Sequence, residues 1–172
     1  MSELKDVIRN RRSVRKYTEE KVPEETVNEI IEAGLWAASG MGKQAPVILA
    51  VSDKAVRDEI SKLNAAVMNS TNDPFYGAPQ VLVVLADRNV GTYVYDGALT
   101  MGNMMLRAYD LGVSSCWIHR AKEVFNTEEG KAILKRAGLE GDYEGIGNLI
   151  IGYADGDIPA PRERAEGRVY KI

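Results

Sequence analysis

Arg11-Arg12-Ser13-Val14-Arg15-Lys16-Tyr17 sets four cations around a hydroxyl directly after a short amphipathic segment, and the rest of the chain is read outward from it. Upstream, Leu4, Val7 and Ile8 recur at helical spacing behind Ser2, a candidate N-cap, with Glu3 in the first turn. The periodicity predicts a helix ending near Asn10. Guanidinium groups are planar and take two phosphate oxygens at once, and a serine hydroxyl or a free backbone N–H takes a third. Two readings stand side by side here. Either the run is an anion grip, or Arg9, Arg11 and Arg12 complement the negative end of the helix dipole, at ~0.3–1 kcal/mol each, and otherwise sit in water.

Downstream, Pro23-Glu24-Glu25 opens a second helix with Val27, Ile30, Ile31 and Leu35 on one face, running into Trp36-Ala37-Ala38-Ser39-Gly40-Met41-Gly42-Lys43-Gln44. An Arg-Arg-Ser-x-Arg run, one helix, then Ala-x-Ser-Gly-x-x-x-Gln resembles the flavin-dependent nitroreductase family. The resemblance extends over essentially the whole chain. An apolar strand follows Gln44, Asn64 lies in the next helix, Pro79 precedes a second strand, and Arg162-x-Arg164 follows the last one. Each motif is weak alone; their order and spacing make the match specific.

A chain of 172 residues suits one domain, spanning residues 1–172, that buries roughly 70% of its unfolded surface. The net charge of −3 gives nonspecific nucleic-acid binding no electrostatic support, so the cations are local, as a small-ligand site requires. The N-terminus has no apolar signal region, no apolar run approaches the ~20 residues of a membrane span, and the single cysteine, Cys116, forms no internal disulfide. The expectation is a soluble cytoplasmic protein.

Val47 to Val51 reads as a buried strand, after which Ser52-Asp53 caps a helix carrying Val56, Ile60, Leu63 and Val67. Asn69 to Gly77 is turn-rich, and Val81 to Leu85 is a second buried strand. The longest helix runs from Thr92 to about Leu111 and is apolar or small nearly all round, which predicts burial on several sides. Gly112 stops it. Val113 to Ile118 reads as a third strand, Thr127-Glu128-Glu129 starts a helix that Gly138 ends, and Gly147 to Tyr153 reads as a fourth strand before a basic, Pro-rich tail. Alternation of helices and strands alone points to a doubly wound parallel sheet. The resemblance implies instead an α+β fold with a mixed, largely antiparallel sheet flanked by helices, in a homodimer whose C-terminal tail extends onto the partner. Alternation at Val169, Tyr170, Lys171 and Ile172 fits a strand added to a partner's sheet edge; a frayed tail fits equally. The long helix, with Gly97, Gly102 and its methionines, is the expected dimer interface, against the alternative of an ordinary monomer core.

The resemblance also implies FMN at the dimer interface, each site drawing on both chains. Arg11 and Ser13 match phosphate-binding positions, with Arg12 alongside. Arg15 matches a basic position at the ribityl chain and pyrimidine edge, where its charge would stabilise negative charge on the reduced ring. Arg162 and Arg164 match cations that close on the phosphate from the C-terminal side. Ala38, Ser39 and Gly40 match a loop lying against the ring from the other subunit, Met41 would face the substrate, and Asn64 matches an amide on the pyrimidine edge. Trp117, Ile118, His119 and Arg120 fall beside the ring, with the Arg120 amide as candidate donor to flavin N5. His119, the single histidine, has two readings, positional or proton-donating, and the family needs no side-chain acid. Cys116 reads as a small buried residue. The chain departs from many relatives at Gly42 and Pro46, where they carry Asn and an aromatic, and lacks a second basic residue among Ala66, Val67 and Met68. The short stretch from Asp87 to Gly91 replaces a helical excursion of larger members, so the site should be open.

Other signals fail on their chemistry. Gly40-Met41-Gly42-Lys43 lacks the glycine spacing and hydroxyl of a P-loop, no G-x-G-x-x-G follows a strand, and one histidine with one cysteine makes no zinc site. The resemblance implies an FMN-dependent oxidoreductase. NAD(P)H would donate, and a nitroaromatic, quinone or similar small molecule would accept two electrons in a ping-pong cycle. The alternative is a flavin-binding storage or redox-responsive module without turnover. Reductive dehalogenation of an aromatic amino acid, which some relatives perform, would need a lid that the short loop does not provide.

Overall fold

The computed structural model describes residues 3–172, so the expected Ser2 cap lies outside the described residues. Helix α1 (Leu4–Asn10) starts at Glu3 without a side-chain cap and buries only Val7. Helix α2 (Glu24–Leu35) follows Pro23, which stands at the cap position rather than inside the helix, and Glu24 and Glu25 face the positive end of its dipole. Strand β1 (Pro46–Val51) leads to α3 (Lys54–Val67), capped where expected: the Asp53 carboxylate accepts the Val56 N–H at 2.9 Å. Then come β2 (Gln80–Asp87), α4 (Tyr93–Asp110) and β3 (Ser114–Ile118). A short α5 (Ala121–Phe125), too brief to leave a periodic signal, precedes α6 (Glu128–Arg136), whose Thr127 hydroxyl caps the Gly130 N–H at 3.0 Å. Strand β4 (Tyr143–Gly152) begins earlier than the expected Gly147.

The sheet order is β1-β2-β4-β3, and every neighbouring pair is antiparallel. The fold is therefore α+β, and the parallel reading of the alternation fails for a geometric reason. β2 and β3, joined across α4, do run in the same direction, since both are antiparallel to β4. But β4, last in sequence, is inserted between them and takes the hydrogen bonds they would have shared. A one-residue slip between Val84 and Leu85 leaves Ile146 as the extra residue of a bulge in β4, flanked by Gly145 and Gly147. A strap of chain closes the β3 side: Ser13 bridges Ser115 in parallel, the Val14 N–H donates to the Ser115 carbonyl at 3.1 Å, and Thr18 and Asp155 pair the strap with the end of β4.

Two apolar layers cover the sheet. On one face α3, α5 and α6 bury Ile60, Phe75, Val83, Val124 and Ile150, and on the other α2 and α4 bury Ile30, Leu82, Met101, Met104 and Leu149. β2 and β4 carry buried residues along nearly their whole length, whereas β1 is an edge strand and mostly half-buried, so the expectation of a buried strand at 47–51 is corrected. Helix α4 packs on the sheet of its own chain through one side. Met101 and Met104 are fully buried, and a Cβ at Gly97 would lie 2.5 Å from Ile146 Cγ1, so these residues seat the helix on its own sheet. The outward face is Val94, Tyr95 and Leu99, together with the nearby exposed Leu35 and Trp36 that end α2. From residue 155 onward the tail is exposed and forms no strand within the chain. No described helix is long and apolar enough to cross a membrane.

Candidate functional site

The strap separates the two readings of the arginine run. Arg12 folds back, donating Nη1 to the Arg11 carbonyl and Nη2 to the Arg9 carbonyl, each at 2.5 Å, and so satisfies the free end of α1. Arg11 does not. Its Nη1 is buried with no hydrogen-bond partner among the described residues, beside a cavity of about 80 Å³ that it shares with Arg12, Gly112 and Ser115. Burial, and then the neighbouring Arg12 charge, hold Arg11 below the usual arginine range. Such a cation is under-compensated, and an anion placed there would relieve it. Val14 and Tyr17 anchor the strap in the core, with the Tyr17 hydroxyl donating to the Val14 carbonyl at 2.9 Å, and this leaves Arg15 between the anchors and Ser13 directly before them.

Arg15 opens onto a second cleft, of about 280 Å³, whose other wall is Trp117, Ile118, His119 and Arg120 at the end of β3. Here the structure brings five of the expected residues together. Arg120 takes φ 80°, a left-handed conformation that costs a non-glycine residue free energy and that its surroundings must enforce. Its guanidinium pairs with Glu123 at 2.9 Å. His119 is exposed. Cys116 also lines the cleft, and burial pushes its thiol up against the lowering pull of Arg15, which leaves it neutral and unsuited to nucleophilic work. Asn64 lies fully buried one turn before Met68, a lining residue; its Nδ2 donates weakly to Met68 Sδ at 3.9 Å, and its Oδ1 has no partner among the described residues.

The remaining expected residues lie elsewhere in the single chain. Ala38 and Ser39 line a separate, smaller cleft with Gly34 and Thr100. Ser39 Oγ accepts the Gln44 N–H at 3.1 Å, and the Gly40 N–H donates to Asp96 Oδ1 at 3.0 Å. Gly40 is fixed as glycine because a Cβ there would sit 2.3 Å from Thr92 Oγ1. Met41, at φ 53°, projects almost wholly into solvent. Arg162 and Arg164 are exposed on the tail, where Arg164 donates to the Arg162 carbonyl, and no hydrogen bond among the described residues joins them to Arg11 or Ser13.

Two residues escaped sequence reasoning. Asp96 is buried in the first turn of α4, where its carboxylate takes the Gly40 N–H and the Thr92 hydroxyl, and so ties the 39–42 loop to the helix. Tyr76, at φ 52°, lines the larger cleft from a loop that composition marked only as turn-rich. Both act through a backbone contact or a strained backbone, and neither leaves a sequence pattern.

This arrangement can be set against known proteins. The nitroreductase from Bacteroides fragilis, solved with bound FMN, superposes with a TM-score of 0.91 at 26% identity, covering 100% of both chains. An Archaeoglobus fulgidus protein provisionally named NADH dehydrogenase/NAD(P)H nitroreductase is 27% identical over 159 residues, 89% of this chain and 86% of its own. A Methanothermobacter thermautotrophicus protein of the same provisional name is 26% identical over 121 residues; the match spans 65% of this chain and 58% of that relative. The model of the nitroreductase family matches residues 8–153, from the end of α1 through the strap and both clefts to the end of β4, and the chain belongs to that family.

Proposed function

We propose that this chain is an FMN-dependent NAD(P)H oxidoreductase that works as a homodimer and passes two electrons to a nitroaromatic, quinone or similar small acceptor. The observation that carries the reading is the buried Nη1 of Arg11, without a hydrogen-bond partner among the described residues, on the strap that also delivers Arg15 to the larger cleft. The residues present fit the cofactor. Arg11 and Ser13, with Arg12 alongside, would take the phosphate, and Arg15 would hold positive charge at the pyrimidine edge. Asn64, whose Oδ1 has no partner among the described residues, would hydrogen-bond that edge, and Trp117, Ile118, His119 and the Arg120 amide would line the ring. The chemistry FMN supplies when bound is acceptance of a hydride from NAD(P)H and delivery of two electrons to the acceptor, in alternating half-reactions.

The pieces that one chain holds apart would meet across a dimer. Ala38, Ser39 and Gly40 would reach the partner's site, with Met41 on its substrate side, and Arg162 and Arg164 would add a second cationic patch to the phosphate. Two observations support this. Trp36, Tyr95 and Leu99 are large apolar side chains left exposed in the single chain, of the kind subunits bury, and β1 is an edge strand onto which the alternating tail of a partner can add. A chain ending at Gly156 is therefore expected to dissociate into monomers at micromolar concentration and to lose FMN. Light scattering after gel filtration checks the first point, and a truncated chain that stays dimeric with unchanged FMN affinity contradicts the tail's role.

His119 is exposed and makes no hydrogen bond among the described residues, so nothing fixes it as a proton donor. Solvent reaches the same cleft. His119→Ala is expected to lower kcat less than tenfold, well short of the ~10²–10⁴ that a general acid contributes. Steady-state NAD(P)H oxidation with menadione or nitrofurazone measures it, and a larger loss with FMN still bound would assign His119 the proton. The function itself is tested by the absorption spectrum of purified protein desalted after incubation with FMN. A stoichiometric flavin band is expected, and a colourless protein overturns the proposal. Turnover with an added acceptor then separates an enzyme from a flavin store.

A further inference from the structure

Asp73 does more than turn the chain between α3 and β2. Its carboxylate accepts four hydrogen bonds: from Arg57 Nη2 at 2.7 Å, from Ser61 Oγ at 2.5 Å, and from the backbone N–H groups of Phe75 and Gly77 at 2.9 and 2.8 Å. Arg57, itself buried, donates Nε to the Ala78 carbonyl at 2.9 Å and lies 5.2 Å over the ring of the fully buried Phe75. Both flanks of Tyr76 are thereby fixed. Tyr76 between them is driven to φ 52°, a region that bulky residues avoid and that persists only where the surroundings over-determine it. Phe75 goes into the core, while its neighbour Tyr76 stays 41% exposed and lines the larger cleft with Arg15 and His119.

We propose that Tyr76 is an acceptor-contact residue whose ring gives planar aromatic acceptors a stacking face, and that Asp73 is the positioning residue that holds it at the cleft. The assignment rests on reading this cleft as the redox site. Offset stacking on a phenol favours flat aromatic acceptors over aliphatic ones of equal charge, and the backbone that presents it, already held at Phe75 and Gly77, has little entropy left to lose on binding. Asp73 suits its task at neutral pH. Burial acts to raise its carboxyl, but the hydrogen bonds from Arg57, Ser61, Gly77 and Phe75 outweigh burial and bring it to about 2. With its pKa depressed in the folded state, the brace is complete above the unfolded value of ~3.9 and is lost as the pH falls through about 2.

The test uses the full-length protein as purified, with 4-nitrobenzoate as the probe. Calorimetric titration gives its Kd without turnover, and hydrogen exchange at the Phe75 and Gly77 amides reports on the loop. Tyr76→Ala and Asp73→Asn are each expected to raise Kd roughly two- to tenfold, the range an aromatic pair supplies. Tyr76→Phe, which keeps the ring, should restore wild-type affinity, and in Asp73→Asn the two amides should exchange faster. Wild-type affinity in Tyr76→Ala overturns the proposal, as does a wild-type protein holding FMN with no measurable affinity for 4-nitrobenzoate. Freed amides with unchanged Kd in Asp73→Asn overturn the positioning role. Failure of the redox reading looks different: a wild-type protein that takes up no FMN, yet loses affinity for the probe on Tyr76→Ala, keeps the contact assignment and removes the flavin.

Discussion

A chain carrying both Arg11→Ala and Arg15→Ala is expected to bind FMN about 10²–10⁴-fold more weakly than the wild type while remaining folded. Each guanidinium would give a charge-assisted hydrogen bond worth about 1.5–3 kcal/mol, and two such bonds total roughly 3–6 kcal/mol. Stability should not follow affinity. Without an anion, the Arg11 Nη1 is buried with no partner among the described residues and its charge sits beside that of Arg12, so its removal relieves a desolvated cation and strands none of those residues. The expected result is a melting temperature of the flavin-free chain that is unchanged or higher, with affinity lost by fluorescence titration at fixed ionic strength. Loss of both together would make Arg11 a structural residue, and retention of affinity would refute the phosphate grip.

What the sequence made legible was what repeats or carries unusual chemistry. The strap was visible because four cations in seven residues are rare in a chain of net charge −3, and the Asp53 and Thr127 caps because a side-chain oxygen before an apolar-periodic run has a mechanism. Strand order was not, since Val81 to Leu85 and Gly147 to Tyr153 look alike whether they pair with each other or with a third strand. Only the insertion of β4 between β2 and β3 decides between a parallel and an antiparallel sheet. The orientation of α4 was hidden for a related reason. With apolar or small residues on both sides of α4, composition alone does not say that Met101 faces the sheet and Tyr95 faces out, and the contact of Gly97 with Ile146 settles it. Within the candidate site, Arg15 and the 117–120 segment could be paired through resemblance. Arg12 could not be told from Arg11, because the difference lies in which carbonyls stand within reach.

Gly145→Ala is expected to impair this protein more than any other single methyl addition near the larger cleft. A Cβ at Gly145 would lie 2.3 Å from the carbonyl oxygen of Ala121 and 2.4 Å from its carbonyl carbon, which are backbone atoms with no rotamer to change. β4 and the start of α5 must then separate, and overpacking of this kind costs about 1–3 kcal/mol, or roughly 2–12 °C in melting temperature for a chain this long. Ala121 directly follows Arg120, so the displacement reaches the φ 80° residue whose amide is the proposed donor to flavin N5. A shift of about 1 Å at a positioned group can cost on the order of 10²-fold in rate. The expected outcome is a kcat reduced tenfold or more at saturating FMN, beyond what lost stability explains at a temperature where the variant is fully folded. Gly91→Ala, where a Cβ meets no atom within 4 Å, provides the contrast and should leave both the melting temperature and kcat near wild type. Should Gly145→Ala lose stability yet keep its kcat, the close approach of β4 to α5 serves only packing, and the Arg120 amide is not what the bulge in β4 is built to aim.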